Sequence, residues 1–389
     1  MKSLRILFCL PNLAGGGAER MVLTVAASLD RQRFRTRLFV HEQWGQHLGS
    51  LAPDQDIHFE HDRPYRRTDL VRSFLATFRE VGNADVVVGA MEGRATFLAL
   101  LAGLLRRRPI VVWVHADWLQ FSRYVSWRQR LALRLYRFAD RIVCCSVGAQ
   151  EAFATMLPKA RSSLVTIHNG IDVERVRRLS VEQIAPEHEA IFEKQTIVAV
   201  GRLDVQKGYD ILIRAHARLR QHVDCNLVII GDGPEEDALR LYAKEHAVAD
   251  SVHFLGFQKN PFRYMRRASV YAMSSRFEGF ALVLVEAMTC GAPVVSVACP
   301  SGPSEVLDDG KYGLLVETEN PDAIALALKQ VLTDAAMRER LSALSLERCA
   351  AFDISALTRE WTVLFDGLAT TSRKPHRRPT HALEEPDLR

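Results

Sequence analysis

No C-x-x-C pair occurs in the sequence. The seven cysteines (Cys9, Cys144, Cys145, Cys225, Cys290, Cys299 and Cys349) are odd in number and lack the spacing of a disulfide framework or a zinc site, which points to reduced thiols in a reducing compartment. No apolar stretch approaches the ~20 residues a bilayer-spanning helix requires; the best candidate, residues 95–105, has 11. No secretory signal is evident, because the apolar residues 4–10 run into Pro11 and a glycine-rich stretch without a small-residue cleavage site. These absences predict a cytoplasmic chain that meets a membrane only from the surface, peripherally on its inner face. No G-x-G-x-x-G or Walker lysine follows the first apolar run, which argues against a nicotinamide-linked oxidoreductase and a P-loop nucleotidase. No clustered His/Asp ligand pattern and no recognised nucleic-acid module is present, so neither a metal nor a nucleic-acid partner is expected.

What is present is a chain of 389 residues, long enough for two domains, with 48% hydrophobic and 25% charged residues. That composition excludes a disordered, collagenous or coiled-coil protein. The net charge of +5 hides an asymmetry. Residues 1–175 carry 25 Lys+Arg against 16 Asp+Glu, a balance of +9, and the remainder carries 26 against 30, a balance of −4. A basic first half suits an anionic partner or surface.

Short continuous apolar runs alternate with helical patterns along the chain. In the first half, strands are predicted at 4–10, 36–40, 57–60, 85–89, 110–115, 141–145 and 164–167. In the second half they are predicted at 196–200, 226–230, 252–255, 269–273, 294–297 and 313–316. Runs of this kind, with helices between, indicate parallel strands buried on both faces. The fold class is therefore α/β, with two doubly wound Rossmann-like domains at 1–175 and 190–352, a helix at 353–369 and a tail at 370–389. Asp353 or Ser355 is the expected helix cap. Ligands of such sheets bind beyond the carboxyl ends of the strands, so residues just after strands are the functional candidates.

Four such places stand out. Gly15, Gly16 and Gly17, followed by Ala18 and Glu19, open a helix after the first strand; this is an anion-binding loop or simply a tight turn. Arg202 and Lys207 follow the strand at 196–200, where two cations can neutralise a diphosphate. Glu278, Gly279, Phe280, Ala281 and Leu282 lead into a second helix start whose free amides form another anion site. Glu286 lies inside that otherwise apolar helix, where a carboxylate needs a partner, either sugar hydroxyls or a buried arginine. His115 ends the strand at 110–115 with Asp117 two residues on, in a catalytic or a core role. Residues 231–235 look structural, and the lone D-x-D of Asp54 and Asp56 looks like a solvated turn.

Taken together, these motifs in this order resemble the retaining glycosyltransferases of family 4. The similarity rests on the loop from Gly15 to Arg20, on Asn169-Gly170-Ile171-Asp172, on Gly201-Arg202-Leu203 with Lys207-Gly208, on Gly231-Asp232-Gly233-Pro234, and on the E-x7-E element from Glu278 to Glu286. The resemblance implies the GT-B fold, two facing Rossmann-like domains with a C-terminal helix crossing back to the first. It implies donor-binding roles for Gly16, Gly17, Arg202, Lys207, Gly279, Phe280, Ala281, Leu282 and Glu286. Arg202 and Lys207 would hold the diphosphate, Glu286 the ribose, and Glu278 would lie near the sugar or its phosphate. His115 would touch the donor sugar, and catalysis would fall to His115, Arg202, Lys207 and Glu278. Ala281 is a departure, since the family often has glycine there. The stretch from Cys299 to Glu305 is similar to members that use nucleotide-linked N-acetylhexosamines or galactose.

The function so implied is transfer, with retention, of a sugar from a nucleotide-sugar donor to a hydroxyl of a glycan or polyprenyl-linked acceptor. The expected donor is a UDP-linked hexose or N-acetylhexosamine, in cell-surface polysaccharide synthesis, without a metal or other cofactor. A non-catalytic membrane- or sugar-binding module on the same fold is the competing class. The segment 118–141, opened by Trp118 and closed by Arg141, interleaves six arginines with aromatic and aliphatic residues and is expected to form a basic amphipathic helix for an anionic membrane, or else a core-packed helix with its arginines in water.

Overall fold

The computed structural model describes residues 3–14, 16–51, 54–121, 130 and 132–372. Each predicted apolar run forms a strand, and the strands assemble into two parallel sheets. The first contains β1 (Leu4–Leu10), β2 (Phe34–Glu42), β3 (Ile57–His61), β4 (Val86–Gly89), β5 (Ile110–Val114), β6 (Arg141–Cys144) and β7 (Leu164–Thr166), in the order β3-β2-β1-β4-β5-β6-β7. The second contains β8 (Gln195–Val200), β9 (Cys225–Ile230), β10 (Val252–Phe254), β11 (Val270–Met273), β12 (Val294–Val297) and β13 (Leu314–Val316), in the order β10-β9-β8-β11-β12-β13. Their residues alternate between the two faces, and both faces are covered by helices; hence the nearly continuous burial of Ile6 to Leu10, Val86 to Val88 and Ile110 to Val114.

Strand order reverses beside β1 in the first sheet and beside β8 in the second. At such a point neighbouring connections leave in opposite directions and open a crevice at the carboxyl ends. The loops after β1 and β4 therefore line the first crevice, and those after β8 and β11 the second.

Asp353 accepts a hydrogen bond from the Ser355 amide at 2.9 Å and pairs with Ile171 in an isolated bridge. The final helix, Ile354–Ser372, then returns to the first sheet, ending three residues beyond the expected limit of 369. Trp361 and Phe365 are fully buried among residues of β1 and β4. The Trp361 ring lies 4.5 Å from that of Trp113, and Phe365 meets Phe8 edge-on at 6.4 Å. Burial of two such aromatics contributes several kcal/mol of hydrophobic free energy. This architecture is the GT-B fold. Residues 373–389, most of the expected tail, lie outside the described residues, as does Gly15.

The segment 118–141 differs from the expected single helix in its described parts. A short helix, Trp118–Phe121, and a 3-10 helix, Arg134–Phe138, flank residues 122–129 and 131, which lie outside the described residues. Tyr136 is fully buried while Leu135 and Phe138 face solvent, so this turn anchors by one aromatic and leaves its arginines outside.

Candidate active site

The loops after β8 and β11 are stitched into one wall. Asp204 caps the 3-10 turn Val205–Lys207, the Ser274 hydroxyl donates to the Lys207 carbonyl at 3.0 Å, and the Gln206 side-chain amide donates to the Phe277 carbonyl at 2.9 Å. Gly208 has φ of 63°, and a Cβ there would lie 2.3 Å from the Ser274 carbonyl, so glycine alone fits. The result places Lys207 Nζ 2.7 Å from Glu278 Oε1, which also accepts from the Ser275 hydroxyl at 2.7 Å. Glu278 is buried, so it requires these partners.

Arg202 stands apart from that pair. Its side chain is 70% exposed and donates to Asp204, with Nε at 2.6 Å. Residues 231–235 have the structural role expected of them: the Glu235 amide donates to the Leu203 carbonyl at 3.0 Å, bracing the loop that carries Arg202.

Ala281 precedes the helix Leu282–Thr289 and adopts a left-handed conformation, φ 63° and ψ 50°. Glycine takes that conformation freely and alanine does so at about 1–2 kcal/mol, which accounts physically for glycine in the family pattern. The helix starts at Leu282, at the end of the stretch expected to lead into it. Glu286 lies one turn inside it and is buried. Its partner is Arg20, from the helix Gly17–Ser28 of the first domain. Of the two partners open to it in the sequence, the arginine is the one present. Burial pushes the Glu286 carboxyl above its ordinary value, and Arg20 opposes that shift.

The first domain closes over this wall. Ser146 donates to the Gly279 carbonyl at 2.6 Å, and Ser301 donates to Asp117 at 2.8 Å. Glu305 accepts from the amides of Val147 and Gly148 at 2.9 and 2.8 Å, and pairs with His168 at 3.0 Å. A Cβ on Gly279 would lie 1.8 Å from the His115 carbonyl, so the two domains touch backbone to backbone there. Gly17 faces Leu282 across the same crevice.

His115 is fixed from three sides. Glu92, in the loop after β4, accepts from the backbone amides of His115 and Ala116 and from the Trp118 indole at 2.7, 3.1 and 3.1 Å. The imidazole Nε2 donates to the Ala90 carbonyl at 2.9 Å, leaving Nδ1 without a hydrogen-bond partner among the described residues. Burial lowers the His115 pKa, so the ring is neutral near pH 7, with its proton on Nε2 and a lone pair on Nδ1. Asp117 is occupied otherwise, by Ser301 and by the Gln120 amide at 3.1 Å.

The fold thus gathers Lys207, Glu278, Gly279, Phe280, Ala281, Leu282 and Glu286 on one side of the interdomain crevice and Gly16, Gly17 and His115 on the other, with Arg202 at the rim. Glu305 closes the stretch 299–305 already marked by its place after a strand, whereas Glu92 was not singled out by the sequence. Glu92 does sit directly after a strand, a position that could have singled it out. Among the described residues, no group of three or more His, Cys, Asp or Glu side chains is placed to share a metal ion.

Such an arrangement, two doubly wound domains with a cationic and carboxylate-bearing wall at their facing strand ends, defines a GT-B glycosyltransferase. The comparisons agree. Residues 15–175 match the family model described as Glycosyltransferase Family 4, and residues 181–345 match Glycosyl transferases group 1. One relative, the N-acetylgalactosamine-N,N'-diacetylbacillosaminyl-diphospho-undecaprenol 4-alpha-N-acetylgalactosaminyltransferase of Campylobacter jejuni, is 30% identical over 368 residues, covering 90% of this chain and 96% of that protein. A second, the GalNAc-alpha-(1->4)-GalNAc-alpha-(1->3)-diNAcBac-PP-undecaprenol alpha-1,4-N-acetyl-D-galactosaminyltransferase of the same organism, is 24% identical and covers 93% of this chain and 98% of that one. Among solved structures, Anabaena HepE in complex with UDP and glucose superposes with a TM-score of 0.80 at 21% identity, over 94% of this chain and all of that one. The chain belongs to the GT-B glycosyltransferases of family 4 (group 1).

Proposed function

We propose that this chain transfers a hexose or N-acetylhexosamine from a UDP-sugar to a hydroxyl of a polyprenyl-diphosphate-linked glycan, with retention at the anomeric carbon and without a metal. The observation that carries the reading is the Lys207–Glu278 pair, at 2.7 Å, set beside the start of the helix that bears Glu286. A cation and free helix amides suit a diphosphate, and a buried carboxylate within the same helix suits the hydroxyl pair of a ribose. The donor base follows the UDP in the HepE complex, and the acceptor class follows the diphospho-undecaprenol in the names of the Campylobacter relatives.

In this reading the bond from the anomeric carbon to the diphosphate breaks, with both electrons staying on the phosphate oxygen. Lys207, Arg202 (turned from Asp204 toward the ligand) and the amides near Leu282 stabilise the charge that develops. The acceptor oxygen bonds to the same face of the anomeric carbon, and its proton passes to the departing phosphate. The neutral His115, with a free lone pair on Nδ1, accepts a hydrogen bond from a hydroxyl of the donor sugar. It orients the sugar and does not act as an acid. Glu286 binds the ribose once Arg20 releases it.

Incubating the protein with UDP-, GDP- and ADP-sugars and measuring release of the nucleoside diphosphate tests the donor assignment. Release from UDP-sugars is expected; release confined to GDP- or ADP-sugars would overturn it.

A further inference from the structure

The helices Leu70–Gly82 and Arg94–Arg106 pack side by side on one face of the first sheet, opposite the face that holds the returning C-terminal helix. Each buries one stripe and turns another outward. Val71 and Leu75, spaced i,i+4, are 69% and 47% exposed; Leu101 and Leu105, at the same spacing, are 49% and 61% exposed, with Leu104 between them at 45%. A helix of a soluble surface ordinarily puts polar residues there, so an outward aliphatic stripe on two adjacent helices calls for a covering partner.

The exposed charge around the stripe is basic; Glu60, which lines the groove beside Val71 and Leu75, is buried and paired with His41. Arg72 and Arg79 are exposed on the first helix, and Arg106 and Arg107 at the end of the second. Arg106 stacks on Phe78 at 3.9 Å and Arg108 donates to the Gly82 carbonyl at 3.1 Å, which draws the basic ends of both helices together. Glu80 is the one carboxylate on the two helices, and it is taken up by Arg37 and His58. The neighbouring 3-10 turn continues the pattern, with Leu135 and Phe138 exposed beside Arg134 and Arg137, and its Tyr136 ring lies 5.3 Å from Phe97.

We propose that this face, and not a single helix at 118–141, docks the protein on an anionic lipid bilayer, its aliphatic side chains entering the interface and its arginines meeting the headgroups. The chemistry favours a bilayer over a second copy of the chain, since joining two such faces would juxtapose like charges. It also favours lying on the membrane over crossing it, since no described helix is long and apolar enough to span one. The docking agrees with a lipid-linked acceptor but stands on the surface itself, so vesicle binding and sugar transfer can fail separately.

Flotation of the full chain with phosphatidylcholine vesicles, with and without phosphatidylglycerol, tests this. The protein is expected to float with the anionic vesicles only, and less as salt is raised. Arg79→Glu and Arg107→Glu should each lower the partition coefficient by about fivefold or more. The pair Leu101→Gln with Leu105→Gln, both exposed and both good helix formers, should abolish flotation while release of nucleotide from the donor continues. Flotation of these variants at the wild-type level would overturn the proposal. So would absence of wild-type flotation, or sedimentation as a dimer that these substitutions dissolve.

Discussion

Arg20 and Glu286 are 266 residues apart in the chain and pair across the interdomain crevice, the arginine at the rim of one sheet and the carboxylate inside a helix of the other. Burial raises the Glu286 pKa and the Arg20 guanidinium opposes that rise. Removing the arginine leaves burial unopposed, which moves the Glu286 pKa further up. Arg20→Ala is therefore expected to shift the acidic limb of kcat/KM toward higher pH, with Arg20→Lys restoring part of the shift. Because burial favours the protonated form, the stability Glu286 contributes is greatest at acid pH and falls as pH rises through its elevated pKa, over a wider pH range in the variant. A pH–rate profile identical to wild type would contradict the pairing.

Lys207 and Glu278 form the second pair. On the proposed mechanism, Lys207→Ala removes one donor to the developing phosphate charge and should cost about 2.7–4 kcal/mol of transition-state stabilisation, or roughly a hundredfold to a thousandfold in turnover. Arg202→Ala should act in the same direction, although its side chain donates to Asp204. Turnover is measured with saturating donor, alongside a circular dichroism melt that confirms folding. Both enzymes are expected to be indifferent to excess chelator.

Glu305 joins the domains through two amides and His168. Burial is the largest single influence and raises its carboxyl pKa, but the His168 hydrogen bond and the two amides together outweigh it and leave the pKa lowered. A lowered carboxylate pKa stabilises above the unfolded value and loses that contribution as pH falls through the folded one. Glu305→Ala should therefore cost about 1–3 kcal/mol at pH 7 in chemical denaturation. The difference from wild type should shrink below about pH 4.

Ala281→Gly relieves the left-handed backbone at the start of the helix Leu282–Thr289. It should raise stability by about 1 kcal/mol, read from the denaturation midpoint. Gly279→Ala does the opposite, because its new methyl would collide with the His115 carbonyl and force the domains apart; activity should fall much more than domain stability.

Much of this was legible in the sequence, for identifiable reasons. A strand buried on both faces is an unbroken apolar run, so β1, β5 and β9 declare themselves, and the rule that ligands sit beyond the strand ends then selects Lys207, Glu278 and His115. The Arg20–Glu286 pair was not legible, since no local pattern links positions in different domains; the sequence asked only that Glu286 have some partner. Glu92 and Glu305 act largely on backbone amides, which every residue possesses, and their side-chain partners, Trp118 and His168, lie 26 and 137 residues away, so no local pattern names the pairing. The outward stripe of Val71, Leu75, Leu101 and Leu105 was hidden differently. Leucines at helical spacing usually mark a core, and only the packed helices show which stripe the sheet already covers.

A structure of the protein with UDP bound tests the central claim most directly. The account predicts the ribose hydroxyls on Glu286, with Arg20 displaced, and the diphosphate between Lys207 and the amides near Leu282. A nucleotide lodged elsewhere while Arg20 and Glu286 stay paired would contradict it.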